Sequence, residues 1–241
     1  MAFARKTLRV RIKRIILLIF GICLNLLGLD SALGGELLTN ATHWADAPSW
    51  ITKGKVDRVV EHMQGQLEWD IHRCEVLIFS DQSVFEAAHG LGPGALAVTL
   101  KNKNKILLGP QVKQDNFDAV FGHEIVHVIA YQKYKEAIPG WLEEGLANQL
   151  SHAGKVDYAW MKKQPPLADV HSLTHPFSGA PDRVHFAYMA SQALAEMISA
   201  KCDFRNLLRL SVGVGMEGYL DTYCGIKDIN GAFKAWISSH N

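Results

Sequence analysis

The residues best suited to chemistry are His123, Glu124 and His127, in the stretch Gly122-His-Glu-Ile-Val-His127. On an α-helix residues four apart share a face, so His123 and His127 can offer two imidazoles to one tetrahedral ion, with Glu124 beside them. A zinc ion lowers the pKa of a bound water to about 7, a neighbouring carboxylate can take its proton, and the hydroxide can attack a carbonyl polarised by the same metal. Five-residue patterns with three fixed positions also arise by chance, and the plain alternative is two ordinary helical histidines.

Catalytic zinc normally takes three protein ligands and leaves a fourth position for water. Downstream, "GWLEEGLA" offers the missing carboxylate in Glu143 or Glu144. Counting 100° per residue from Trp141, the apolar face is formed by Leu142, Leu146, Ala147 and Leu150, and Glu143 falls nearer its middle than Glu144 does. A glutamate inside an apolar face is unusual enough to keep Glu143 as an alternative ligand.

His123-Glu-Ile-Val-His127 followed by Trp141-Leu-Glu-Glu-Gly-Leu-Ala147 resembles the gluzincin metallopeptidases, most closely their small bacterial peptidase MA-like domains. The resemblance spans about residues 70 to 240, although only the two zinc helices are specific. It implies an α+β, zincin-like fold: a small mixed β-sheet, an HExxH active-site helix and a helical C-terminal part. It also implies Zn2+ held by His123, His127 and Glu144, with Glu124 as general base. Sixteen residues separate His127 from Glu144, a shorter gap than in the large aminopeptidases, which implies a tight connection. Gly145 would let the two helices approach closely. Gluzincins with this motif often take an oxyanion donor from the helical part, and by resemblance that is Tyr188 in "RVHFAYMASQALAEM", with His185 on the same face; a core tyrosine is the plain alternative. Asn148, one turn beyond Glu144, can accept the second ring N–H of a ligand histidine. His171 and His175 fall in a loop and read as solvent residues.

Positioning these groups requires particular elements. Asp115 or Asn116 starts a helix running to about Lys133, and Pro139-Gly140 punctuates before a second helix from Trp141 to Ser151. Upstream, "KVDRVVEHMQGQLEW" reads as a helix burying Val56, Val59, Val60 and Met63, and "CEVLIFS" as a strand. Asp81 or Ser83 caps "VFEAA". "ALAVTL" and "KILLGP" flank "KNKN" as a hairpin whose edge could take up an extended peptide. Residues 152–181, rich in turn formers, read as a long surface connection. Helices are expected from about Arg183 to Lys201 and near "FRNLLRL", "MEGYLDTY" and "INGAFKAWISS".

The chain has 241 residues with 48% hydrophobic and 20% charged, the profile of one globular domain. Six Arg/Lys occupy the first fourteen residues, and "IILLIFGICLNLLGL" follows, broken only by Asn25. Residues 1–34 therefore read as a signal peptide, cut before Gly35, or as an N-terminal membrane anchor; a lipoprotein reading through Cys23 is weak after bulky Ile22. The remaining charge is −4, with 19 basic and 23 acidic residues, so nothing suggests nucleic acid. Cys202 and Cys224 lie in neighbouring helices and can pair, whereas Cys74 reads as a small buried hydrophobe. The sequence thus points to an exported zinc metallopeptidase acting on a peptide or protein, with residues 35–152 and 153–241 as two parts of one catalytic domain. The rivals are a silent peptidase-like binding module in the cell envelope and a zinc hydrolase of another bond.

Overall fold

Alternating burial on strand β5 (Lys105–Leu108) organises the molecule: Ile106 and Leu108 enter the main core, while Leu107 turns to the opposite face and meets Phe85 and Val98. The computed structural model describes residues 34–240 except 92–93. The expected signal or anchor, with Cys23, lies outside the described residues apart from its last position, Gly34. Strands β1 (Gly35–Leu38), β2 (Thr42–Ala47), β3 (Cys74–Ile78), β4 (Ala97–Leu100) and β5 form one sheet in the order β1-β2-β3-β5-β4. β2, β3 and β5 run parallel, and β1 and β4 pair antiparallel at the two edges. The sheet is therefore mixed and the fold α+β, as expected.

Helix α1 (Lys53–Leu67), capped by Thr52, buries Val56, Val59, Val60, Met63 and Leu67. Asp81, rather than Ser83, caps α2 (Gln82–His89), accepting from the Val84 amide at 3.0 Å. Helix α3 (Phe117–Ile129) is apolar nearly all round and sits in the core. Phe117 and Phe121 stack at 5.0 Å and pack on the buried Trp44 of β2. Beyond Ile129 the chain does not continue as an α-helix to Lys133; it winds through a π turn over Ala130–Tyr134, where the Lys133 ammonium and Tyr134 hydroxyl both donate to the Leu67 carbonyl at the end of α1. Lys135, at φ 55°, reverses the chain toward Pro139 and α4 (Gly140–Ser151).

Gly145 has a different neighbour from the one expected. A Cβ there would overlap the Ser191 carbonyl of α6 (Pro181–Lys201), so the missing side chain serves the α4–α6 crossing, not the approach to α3. The C-terminal helices α7 (Phe204–Ser211), α8 (Glu217–Cys224) and α9 (Ile229–Ser239) follow, with Cys202 and Cys224 joined in a disulfide. Cys74 is buried, and burial pushes its thiol up to about 12.

The structure differs from the sequence expectations in two further places. Strands β1 and β2 were not expected from the sequence. Residues 152–181 are also more than a surface connection: they include α5 (Tyr158–Met161) and a 3-10 turn at Val170–Ser172, and they bury Tyr158, Met161, Val170 and Leu173. Among the described residues, no helix is long and apolar enough to cross a membrane.

Candidate metal centre

Helices α3 and α4 pack face to face, so His123 and His127 on one meet Glu143 and Glu144 on the other. The two histidine Nε2 atoms are 3.0 Å apart, and the Glu144 oxygens lie 3.3 Å from His123 Nε2 and 3.2 Å from His127 Nε2. Metal–nitrogen and metal–oxygen bonds of ordinary zinc length place neighbouring tetrahedral ligand atoms about 3.3 Å apart. The three side chains also form the one His/Cys/Asp/Glu group among the described residues able to share an ion, and the donor set fits a divalent metal.

Glu143 points to the outer side of the same ring. Its Oε1 accepts the His127 Nδ1–H at 2.8 Å, which turns the Nε2 edge of the ring toward Glu144. The role considered for Asn148 therefore falls, at His127, to Glu143, and the Asn148 side chain forms no hydrogen bond among the described residues. Glu143 is itself paired: Lys101, directly after β4, places its ammonium 2.7 Å from the carboxylate. The apolar position that made Glu143 look like a ligand reflects this contact behind His127.

Glu124 of α3 is buried, at 5% exposure. Thr99 of β4 donates to its Oε2 at 2.6 Å and to its backbone carbonyl at 3.2 Å, fixing the carboxylate from the sheet side. Burial alone would pull the His127 imidazole down, but the charges of Glu144 and Glu143 outweigh it and hold its pKa well above the usual range. Burial pushes Glu144 up, and His127 and His123 more than reverse that, leaving it well below the carboxylate range.

Tyr188 lies beside this group. Burial, with the charges of Glu144 and Glu124 adding to it, pushes its hydroxyl up to about 12, so it stays protonated. Its ring packs edge-on against Phe177 at 4.8 Å, and its hydroxyl has no hydrogen-bond partner among the described residues. His185 instead packs on Trp160 at 4.7 Å.

His175, read from the sequence as a solvent residue, is at the site. Its Nε2 is 3.4 Å from Glu144 Oε1, its ring lies parallel to His127 at 6.5 Å, and its side chain is 36% exposed. Burial lowers its pKa, and His127 and Lys101 add to that against the pull of Glu144, so the ring is neutral near pH 7. No periodic signal could have found His175, because it arrives on an irregular segment. Thr99 and Lys101 were visible only as members of the hairpin. No protein family, curated protein or solved structure matches the chain in comparisons with known proteins.

Proposed function

We propose that the chain is a zinc-dependent metallopeptidase of zincin-like fold that hydrolyses peptide or protein substrates. The observation supporting this reading is the convergence of His123 Nε2, His127 Nε2 and the Glu144 carboxylate on one point, with Glu124 beside them. His123, His127 and Glu144 would hold a zinc ion, which when bound would supply Lewis-acid chemistry to a carbonyl and to water.

The remaining work belongs to the chain. Glu124 takes the proton from the attacking water and delivers it to the leaving amine, with Thr99 holding its Oε2. Glu143 keeps the Nε2 lone pair of His127 turned inward. Tyr188 and neutral His175 offer donors to the carbonyl oxygen as negative charge develops there. β4, an edge of the sheet, gives an extended peptide a strand to pair with. The basic and apolar N-terminus and the Cys202–Cys224 disulfide suit an exported protein of the periplasm, cell envelope or exterior, since disulfides persist in oxidising compartments.

The decisive measurement is zinc per chain in the parent, Glu144→Ala, Glu143→Ala and Glu124→Gln proteins. About one zinc in the parent, lost in Glu144→Ala and kept with weaker affinity in Glu143→Ala, is expected. Glu124→Gln should keep its zinc while peptide hydrolysis falls by about 10²–10⁴-fold. No zinc in any form overturns the reading. Zinc without hydrolysis of any peptide in a broad screen would leave the silent binding module.

A further inference from the structure

The edge hairpin reaches both metal helices through two residues at strand spacing: Thr99 touches Glu124 of α3, and Lys101 touches Glu143 of α4. The second contact is unusual for a lysine beside a hairpin tip. Its partner carboxylate is nearly enclosed, with an 11% exposed side chain, and lies next in sequence to a second buried carboxylate, Glu144. Two adjacent buried carboxylates repel unless each has its own countercharge. Glu144 faces the convergence point, where a cation would neutralise it. Glu143 faces away, and Lys101 is the Lys/Arg partner it has among the described residues.

Building on the zinc reading, we infer that Lys101 is a positioning residue of the metal centre: through the chain Lys101–Glu143–His127 it anchors the Glu143 carboxylate as the acceptor for Nδ1–H, so that His127 presents Nε2 to the metal. The distances along this chain, 2.7 Å and 2.8 Å, are those of charge-assisted hydrogen bonds. Without the ammonium, Glu143 loses its countercharge in an enclosed setting and holds the ring less firmly. Because Lys101 continues from β4, the strand edge offered to a substrate and the pocket offered to the metal share one side chain.

The test is zinc affinity of the full chain by chelator competition, with the visible spectrum of the Co2+-loaded protein as a second readout. Lys101→Met should weaken zinc binding by about 10–100-fold, the range for partners of ligand histidines. Lys101→Arg should recover most of that loss, and Lys103→Met, which removes an equal charge from the exposed tip, should bind like the parent. On a Glu143→Gln background Lys101→Met should add little, since both changes break one chain. In Co2+-loaded protein, Lys101→Met and Glu143→Gln should shift the absorption bands in the same direction. Parent-like zinc affinity in Lys101→Met, or an undiminished loss on the Glu143→Gln background, overturns this inference alone. A parent that takes up no zinc overturns the zinc reading and this inference together.

Discussion

Glu143 and Glu144 are chemically identical and adjacent, yet a rotation of 100° gives them different tasks. One faces both Nε2 atoms and the other faces Nδ1 of His127 and Lys101. The sequence separated the pair from the rest of α4, but the choice between them depends on how α4 is rotated against α3, and only tertiary packing sets that. His123, Glu124 and His127 were legible because their spacing is local to one helix. His175 was not, because its place beside Glu144 comes from the path of an irregular segment. Thr99 is of the same kind, a strand residue whose role depends on lying over Glu124. In the proposed mechanism Glu124 is the general base, and a hydroxyl that fixes such a base affects turnover more than binding, so Thr99→Val should lower kcat by about tenfold, toward the lower end of the range for orienting groups. Zinc content should be unchanged, and Thr99→Ser should recover the rate in steady-state kinetics. Equal kcat in Thr99→Val and the parent would remove Thr99 from the mechanism.

At the scale of elements, the period of 3.6 found α1, α4 and α6, because each buries an apolar face, whereas α3, apolar nearly all round, was read from its start signal and its HExxH spacing. β1 and β2 escaped because they are short and polar in composition: "GELL" and "THWADA" carry little alternation to read, and Trp44 is drawn into the core by Phe117 and Phe121 of a distant helix. The π turn after Ile129 was invisible because its residues would suit an α-helix equally well. The tightest joint in the helical layer is the crossing of α4 and α6, where Gly145 meets the Ser191 backbone. A side chain there cannot be absorbed by a rotamer change, since its obstacle is backbone. Gly145→Ala should therefore force the helices apart and cost about 3 kcal/mol, the upper part of the range for overpacking. Chemical denaturation would read this as a lower midpoint with an unchanged slope. Zinc affinity should fall too, because Glu144 sits one residue away on the displaced helix; a variant as stable as the parent would contradict the close crossing.

At the scale of the whole molecule, two of the long-range links among the described residues bear on stability, one within the helical part and one to the start of α4. The Cys202–Cys224 disulfide spans a separation of 22 residues. Closing a loop of that size in the unfolded chain corresponds to about 3 kcal/mol of stability, so Cys202→Ala/Cys224→Ala should lose about that much in denaturant titrations. The second link is His171, whose Nδ1 is 2.7 Å from Asp169 and whose Nε2 is 3.2 Å from Glu217 on α8; the Trp141 indole at the start of α4 donates to the same Glu217 oxygen at 3.1 Å. Both ring nitrogens face carboxylate oxygens, so only the charged imidazolium satisfies both. The hydrogen bond to Asp169, with the charge of Glu217 adding to it, accordingly raises the His171 pKa despite slight burial. A histidine pKa raised by folding contributes stability that is full below its ordinary value near 6.5 and is lost as pH rises through the raised value. Asp169, lowered by the same bridge, keeps its share until the pH falls below the usual carboxylate range. The His171 side chain is 46% exposed, so solvent limits the effect to less than about 1 kcal/mol, or at most about 2–4 °C in Tm for a protein of this size. Raising the pH from about 6 to 9 should lower the Tm of the parent by this small amount more than that of His171→Gln, and parallel Tm profiles for the two proteins would show that the bridge does not couple α8 to the start of α4.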